Sequence, residues 1–455
     1  TASNGAKLDF SFLSTYAEKF MGVQDAKSII EDLEKSKIIV YRAYNSRFSL
    51  FEGTDLDITE ALALAENKIS EIVDVVGLLK KEYDFNPVLA KSHSYKVGTP
   101  RIFEFIITEL PINKVPQEDT DGFINLILNP ALGEKEVIDI SRSTDEAIIF
   151  GYFKNFDVIK TQLFEIEKTR KVIDENIGDK VAVKELTNIL DHQKKLLSHY
   201  VINNLYNENK HISWIFRGSR RIVKNKKEFN KLLSEICDDV YEKTPIFKNE
   251  LVNRHKISPT IHSAKRNYLK ALVNNWDQPD LGFAHSKFPP EKTIFITLLK
   301  ENGLDPLGIN KERLENSSFI HLWNASRKFL ESTRKNKKAI SEFTSVFTKR
   351  PFKLKQGVID FWVASFLFLN RNEFALFSQS GYIPYLTDEI LELIIKNPGD
   401  YQVKAFDLEG VKVDLFNSYR IYLNQSVSNN PSNDLFIETI KPFIVFYRDL
   451  KPYAK

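Results

Sequence analysis

The sequence predicts a mainly α-helical, multidomain α+β protein with small β hairpins, one small α/β insert and winged-helix-like modules. The chain has 455 residues, which is too long for a single ordinary core. Apolar residues recur at helical spacing over most of its length. Short runs of β-branched and aromatic residues, bounded by Pro, Gly and Asp, interrupt that pattern and predict strands.

The first segment predicts a helix, a hairpin and a second helix, which is the element order of a winged helix. Residues 26–37 have an amphipathic helical pattern, and residues 38–51 read as two strands joined at Asn45 and Ser46. Asp57 and Glu60 have the spacing of an N-cap and its capping-box acid, so a helix is predicted over residues 58–83. Residues 1–82 are therefore assigned to a winged-helix-like module and long helix.

The rest of the chain divides into four further predicted domains. Residues 83–157 read as a small α/β or β-rich insert with strands at 101–110, 122–130, 136–141 and 146–153. Residues 158–244 predict long helices and one strand at 212–218. Residues 245–340 predict a helical domain that opens with a helix-turn-helix over residues 246–276. Residues 341–455 repeat the order helix, hairpin, helix and predict a C-terminal winged-helix-like module.

Composition and charge exclude several partners for the molecule as a whole. There are 64 basic and 61 acidic residues, so the net charge of +3 gives no field that would drive binding to DNA or a membrane. The longest apolar run, Phe361–Leu369, is about half of what a bilayer requires, and no membrane partner is expected. The single cysteine, Cys237, cannot form a disulfide within the chain. This fits a reducing compartment, and a cytoplasmic location is predicted.

Motifs of catalysis and cofactor binding do not occur in the sequence. It contains no GxxxxGK[ST] phosphate loop, no HExxH, no CxxC and no GxSxG. Asp55 and Asp57 form a DxD that could hold a divalent ion, but a capping role for Asp57 needs no further assumption. Cys237 has no activating partners in the sequence and reads as a core residue. We therefore expect no enzyme activity, cofactor or metal site in this chain.

Two basic runs, over residues 216–231 and 327–355, are the strongest local signal for a binding function. They stand in a nearly neutral protein, and they would form a phosphate-binding surface if the fold brought them to one face. The alternative is that each run is a solvated helix face. A third set belongs to the predicted helix-turn-helix: Arg254, His255, Lys256, Lys265 and Arg266. The candidate nucleic-acid-binding residues of the two runs are Arg217, Arg220, Arg221, Lys224, Lys226, Lys227, Lys335, Lys337 and Lys338.

Four stretches carry a resemblance to known proteins: residues 41–58, 213–275, 281–304 and 354–398. They resemble the region downstream of the ATPase core in large bacterial P-loop ATPases of the AAA+ or STAND-like kind, found in phage-defence islands that include BREX-type systems. The resemblance implies a non-catalytic regulatory or ligand-sensing region. It also implies that ATP and Mg²⁺ bind only in an upstream ATPase domain of the same polypeptide, whose phosphate-binding residues would precede Thr1.

In such a protein this region couples the upstream motor to a nucleic acid or to a defence-system protein. The opening hairpin would then be a winged-helix-like joint and not an independent reader of DNA. The alternative from the residues alone is a freestanding nucleic-acid-binding regulator that uses the helix-turn-helix and the basic runs.

Overall fold

The computed structural model describes residues 8–42, 46–50, 56–69, 74–207, 211–406 and 411–425 and scattered positions from 435 to 450. Its first elements form a hairpin between helices. The predicted order helix, hairpin, helix is confirmed for the described part of this segment. The tip of the hairpin and Asp55 lie outside the described residues. Its elements are α1 (Phe10–Phe20), α2 (Ala26–Lys35), β1 (Ile39–Arg42), β2 (Arg47–Leu50) and α3 (Ile58–Lys68).

Helix α3 begins as predicted, because the Asp57 side chain accepts a hydrogen bond from the Glu60 backbone N–H at 3.0 Å. The helix ends at Lys68, although the sequence pattern predicts one helix to residue 83. A separate helix, α4 (Val75–Glu82), follows. Asp74 caps it by accepting from the Gly77 N–H at 2.7 Å, so a second N-cap divides the predicted helix.

The middle of the chain is a six-stranded sheet covered by helices, here called the sheet unit. Its strands occur across the sheet in chain order, with β4, β5 and β6 parallel and the outer pairs antiparallel. Strands from residues 83–157 and from residues 158–244 share this sheet. The elements are β3 (Val88–Leu89), α5 (Lys91–Val97), β4 (Ile102–Thr108), β5 (Gly122–Ile127), α6 (Glu134–Arg142), β6 (Ile148–Phe153), α7 (Asp157–Glu175), α8 (Lys180–Tyr206), β7 (Ile212–Phe216), β8 (Ser219–Arg221) and α9 (Lys226–Val240).

Strands β5 and β6 are buried over their whole length because both faces of the sheet are covered. One face packs against α6, and the other packs against α7, α8 and α9, so two separate apolar clusters form. Residues 136–141, predicted as a strand, lie within α6. Val137 and Ser141 are buried four residues apart, which is helical spacing, and Glu136 reaches back to the Gly133 N–H at 3.4 Å.

The last part of the described chain is a helical unit with a small sheet, here called the C-terminal unit. Its sheet has the order β11-β14-β12-β13. None of the helices among the described residues is both long and apolar enough to cross a membrane. The elements are α10 (Pro259–Asn274), α11 (Pro290–Leu298), β9 (Leu304–Asp305), β10 (Gly308–Ile309), α12 (Lys311–Glu315), α13 (Ile320–Ser332), β11 (Lys338–Ala339), α14 (Ile340–Phe347), α15 (Gln356–Leu369), β12 (Phe374–Ser378), β13 (Gly381–Ile383), α16 (Asp388–Lys396), β14 (Gln402–Ala405) and α17 (Val411–Tyr422).

The predicted helix-turn-helix over residues 246–276 is wrong, because only its second helix, α10, forms. The preceding segment is held to the sheet unit by polar contacts that replace helical hydrogen bonds. The Phe247 N–H donates to the Val97 carbonyl oxygen at 2.8 Å. The Asn253 side chain donates to the carbonyl oxygens of Gly98 and Phe247 at 2.8 and 3.1 Å.

A substitution of Gly122 at the start of β5 can test how tightly the sheet is packed. A Cβ on this residue would overlap the buried Phe103 ring and come within 2.6 Å of the Ala147 carbonyl oxygen. We expect Gly122→Ala to lower the free energy of unfolding by about 1–3 kcal/mol through overpacking. Gly178→Ala is the control, because nothing lies near its added Cβ. Urea denaturation of both variants checks this, and equal stabilities would contradict it.

Candidate functional site

The first basic run occupies the β7–β8 hairpin and the start of α9. Arg217 lies in the hairpin turn with a φ of 45°, a backbone conformation that non-glycine residues adopt at a cost. Its guanidinium pairs with Asp239, and Nη2 donates to the Asp145 carbonyl oxygen at 3.2 Å. Arg220 Nη2 lies 2.8 Å from Glu134 Oε2. Carboxylates of the sheet unit therefore neutralise two of the predicted residues.

Four cations of this run face solvent, and we call them the basic edge: Arg221, Lys224, Lys226 and Lys227. Strand β8 is the last strand of its sheet. None of the four side chains forms an ion pair with a described carboxylate, although Lys226 Nζ lies 5.6 Å from the centre of the Tyr206 ring. The aromatic residues interleaved with the run, Trp214, Phe216 and Phe229, are buried in the core. The outward surface is thus basic, with the partly buried Tyr206 ring beside Lys226.

The second basic run is divided between two places. Lys335, Lys337 and Lys338 lie between α13 and α14, and Lys338 is part of β11 in the four-stranded sheet of the C-terminal unit. Lys337 Nζ lies 3.5 Å from the centre of the Phe377 ring, and Lys338 Nζ donates to Ser332 Oγ at 3.0 Å. No hydrogen bond or ion pair joins these lysines to the first run among the described residues. Convergence of the two runs on one face stays a prediction.

Two cations of the predicted helix-turn-helix are paired within the protein. Lys265 is buried and lies 3.1 Å from Asp360, while Arg266 lies 3.0 Å from Glu392. Helix α15 of the predicted C-terminal winged-helix-like module is also unsuited to binding in a DNA groove, because 11 of its 14 residues are buried. Helix α10 therefore lacks the first helix of the predicted motif, and α15 lacks an exposed face.

The remainder of the second run, residues 349–355, packs against the sheet unit and is called the strap. It meets the residues that precede two parallel strands, Arg101 before β4 and Asp121 before β5. Arg101 Nη1 donates to the carbonyl oxygen of Lys353 at 2.6 Å and to Asp121 Oδ1 at 2.9 Å. Lys355 Nζ donates to Asp121 Oδ2 at 2.8 Å, and Lys353 Nζ donates to the Pro116 carbonyl oxygen at 3.0 Å.

The contact between strap and sheet buries three basic side chains around one carboxylate. Arg101, Asp121, Lys353 and Lys355 are each at most 5% exposed. Burial opposes ionisation of Asp121, but attraction by Arg101 and Lys355 outweighs it and lowers the pKa of the carboxyl group. Burial lowers the pKa of Lys353 to about 8, and it also lowers the pKa of Lys355. The cluster is therefore charged, buried and dependent on Asp121.

A cleft of about 640 Å³ lies beside the strap, between the two units. Arg350 of the strap reaches across to Asp145 at 2.6 Å and to Glu146 at 3.4 Å. Cations and carboxylates line the cleft in equal number, so it has no strong preference for ligands of either sign. Its lining residues are Val115, Glu146, Arg217, Asp239, Val240, Glu242, Lys349, Arg350 and Pro351.

The predicted core position of Cys237 is confirmed, because the side chain is fully buried in α9. Burial raises the pKa of its thiol, so the thiolate needed for nucleophilic attack is disfavoured. Within the described ranges, no three His, Cys, Asp or Glu side chains form a group that could hold a metal ion.

The buried carboxylate gives a direct prediction of stability. Asp121→Asn leaves Arg101 and Lys355 without their shared anion, and we expect the free energy of unfolding to fall by about 3–5 kcal/mol. Asp145→Asn is the matched control, since its exposed pair with Arg350 should contribute no more than about 1 kcal/mol. Chemical denaturation compares the two variants. If the two variants lose unfolding free energies that agree within about 1 kcal/mol, the buried cluster contributes no more to stability than the exposed pair.

Lys353 gives a prediction of pH dependence. Its pKa in the folded protein is about 8, below its usual value of 10.5, so between these pH values the unfolded chain binds more protons. The stability of the native sequence should therefore rise relative to Lys353→Met as pH increases from 8 to 10, by roughly 1–3 kcal/mol. Urea titrations of both proteins at the two pH values measure the difference. A constant or falling difference would contradict the prediction.

Comparisons of the chain with protein-family models, curated proteins and solved structures gave no match. The resemblance to the downstream region of large bacterial P-loop ATPases stays a prediction from the sequence. The function of the chain must therefore be inferred from the chemistry and position of its own residues.

Proposed function

We propose that this chain is a non-catalytic regulatory region of a large bacterial ATPase in anti-phage defence, which couples an upstream P-loop domain to a nucleic acid. The observation that carries the proposal is the basic edge. Its four exposed cations are Arg221 at the end of the edge strand β8, Lys224 in the following loop, and Lys226 and Lys227 at the start of α9. Such groups neutralise backbone phosphates and release the counterions bound to them. The proposed contact is therefore electrostatic and independent of base sequence.

The distribution of carboxylates supports this surface over the rest of the first run. Arg217 and Arg220 already pair with Asp239 and Glu134, so binding of a phosphate there would require an ion pair to break. At the basic edge, Glu228 is the nearby acid in the chain, and its Oε2 accepts from the Lys224 backbone N–H at 3.1 Å. Four cations beside one engaged carboxylate favour an anionic partner.

The strap supports a coupling role for the two units. Its contacts with Arg101 and Asp121 are buried and directional, so a displacement of the sheet unit would be transmitted to α14 and α15 on either side of the strap. Buried ion pairs fix relative orientation because any other arrangement leaves a charge without its partner. We propose that these contacts transmit the state of the ATPase domain between the units.

We also infer a winged-helix-like arrangement in the C-terminal unit, with α13, α14 and α15 beside strands β11, β14 and β12. In this arrangement β13 and α16 belong to an enlarged wing. The burial of α15 favours a role as a joint and not as a DNA reader. The freestanding regulator is less well supported, because the predicted helix-turn-helix lacks its first helix.

The triple variant Lys224→Ala, Lys226→Ala and Lys227→Ala tests the basic edge. We expect weaker binding to duplex DNA and a dependence of log Kd on log salt that is about 1–3 units shallower, since each lost phosphate contact removes about 0.9. Fluorescence anisotropy over a salt series measures both quantities. Thermal stability should change little because the replaced charges are exposed.

The control variant removes three exposed lysines from other elements: Lys27→Ala, Lys311→Ala and Lys396→Ala. It has the same net charge as the test variant, so it separates a local contact from a general effect of charge. Equal losses of affinity in the two variants, or no loss in either, would contradict the proposed surface.

A further inference from the structure

The four-stranded sheet of the C-terminal unit has one face that is not part of the core. Phe377 is paired with Tyr382 and with Gln402, and Ala375 is paired with Lys404, so these residues point to the same side. The opposite side, with Phe374, Leu376 and Val403, is buried. We call the first side the outer sheet face, which consists of Ala375, Phe377, Tyr382, Gln402 and Lys404, all partly or fully exposed.

This face combines aromatic rings with cations. The ring centres of Phe377 and Tyr382 are 5.7 Å apart, and Tyr382 is 39% exposed. Lys337 Nζ lies 3.5 Å from the centre of the Phe377 ring, and Lys404 lies on the neighbouring strand. At the basic edge Lys226 lies over the partly buried ring of Tyr206, whereas the outer sheet face has an exposed ring, Tyr382, next to Phe377 and Lys337. Rings and ammonium groups together are the chemistry that binds unpaired bases and their phosphates.

We propose that the outer sheet face binds single-stranded DNA, with bases stacked on Tyr382 and Phe377 and phosphates held by Lys337 and Lys404. The inference rests on the proposed nucleic-acid function and specifies the form of the strand. Bases in a duplex are already stacked on one another, so a protein ring can stack only on an unpaired base.

The position of Lys337 is compatible with a base on Phe377. An exposed cation–π contact contributes only about two- to fivefold to an equilibrium, whereas one stacked base contributes about fivefold to 150-fold. A base therefore displaces the ammonium group from the ring. The four-carbon side chain then brings Lys337 Nζ to the adjacent phosphate. The alternative is a purely structural role, in which Phe377 and Tyr382 only stabilise the hairpin as a cross-strand pair.

The test uses the full chain with a labelled oligo(dT) strand, a DNA duplex of equal length and an oligo(rU) strand. We expect Tyr382→Ala and Phe377→Leu each to weaken oligo(dT) binding by about fivefold or more and to leave duplex binding within about twofold. Tyr382→Phe keeps the stacking ring and should bind like the native protein. Tyr95→Ala is the matched control, because Tyr95 is 84% exposed with Lys248 Nζ 5.4 Å from its ring centre.

The variants separate failure of this inference from failure of the proposed function. If Tyr382→Ala and Phe377→Leu bind oligo(dT) like the native protein, stacking at this face is wrong, whatever the lysine variants of the basic edge do. If those lysine variants leave duplex binding unchanged while Tyr382→Ala weakens oligo(dT) binding, the proposed role of the basic edge is wrong and the proposed role of the outer sheet face is supported. Binding of oligo(rU) more than about tenfold tighter than oligo(dT) would overturn the assignment to DNA.

Discussion

The ion pairs of Asp121 determine how the two larger units are joined. Its carboxylate accepts from Arg101, from Lys355 and from the Ile102 N–H, so one buried side chain links the starts of two parallel strands to the strap. A carboxylate in this position would be costly without both cations, and either cation would be costly without it. The parallel strands, the strap and the buried helix α15 are therefore held in one geometry by mutual neutralisation.

Similar lysines have opposite roles in different parts of the chain. Lys353 and Lys355 are buried in the strap, where they bind one carbonyl group and one carboxylate. Lys224 and Lys227 face solvent with no carboxylate in contact among the described residues. The difference arises from the neighbours that folding supplies and not from the side chains themselves. A run of basic residues can therefore be a buried structural joint or an exposed surface, and only its tertiary partners distinguish the two.

The sequence predicts most helices and strands of this fold, and the reasons for its failures are physical. Capping residues such as Asp57 locate helix starts correctly because the cap is local. The pattern around Val137 fits both a strand and a helix, and burial on the sheet selects the helix. The segment around Asn253 does not form the predicted helix, because its polar groups bond to residues far away in the sequence. The strap could not be predicted from the sequence, because the burial of Lys355 depends on Asp121, which lies 234 positions away.

The chain order of the six strands has a consequence for assembly. Each strand pairs with the strand next to it in the sequence, so the sheet can form progressively as the chain emerges from the ribosome. The bond between Lys355 and Asp121 instead joins residues 234 positions apart. Until the strap arrives, Asp121 has Arg101 as a cationic partner but lacks Lys355, and the starts of the parallel strands are uncovered. Docking of the C-terminal unit is therefore the late step, and the nascent sheet must tolerate a partly neutralised edge before it.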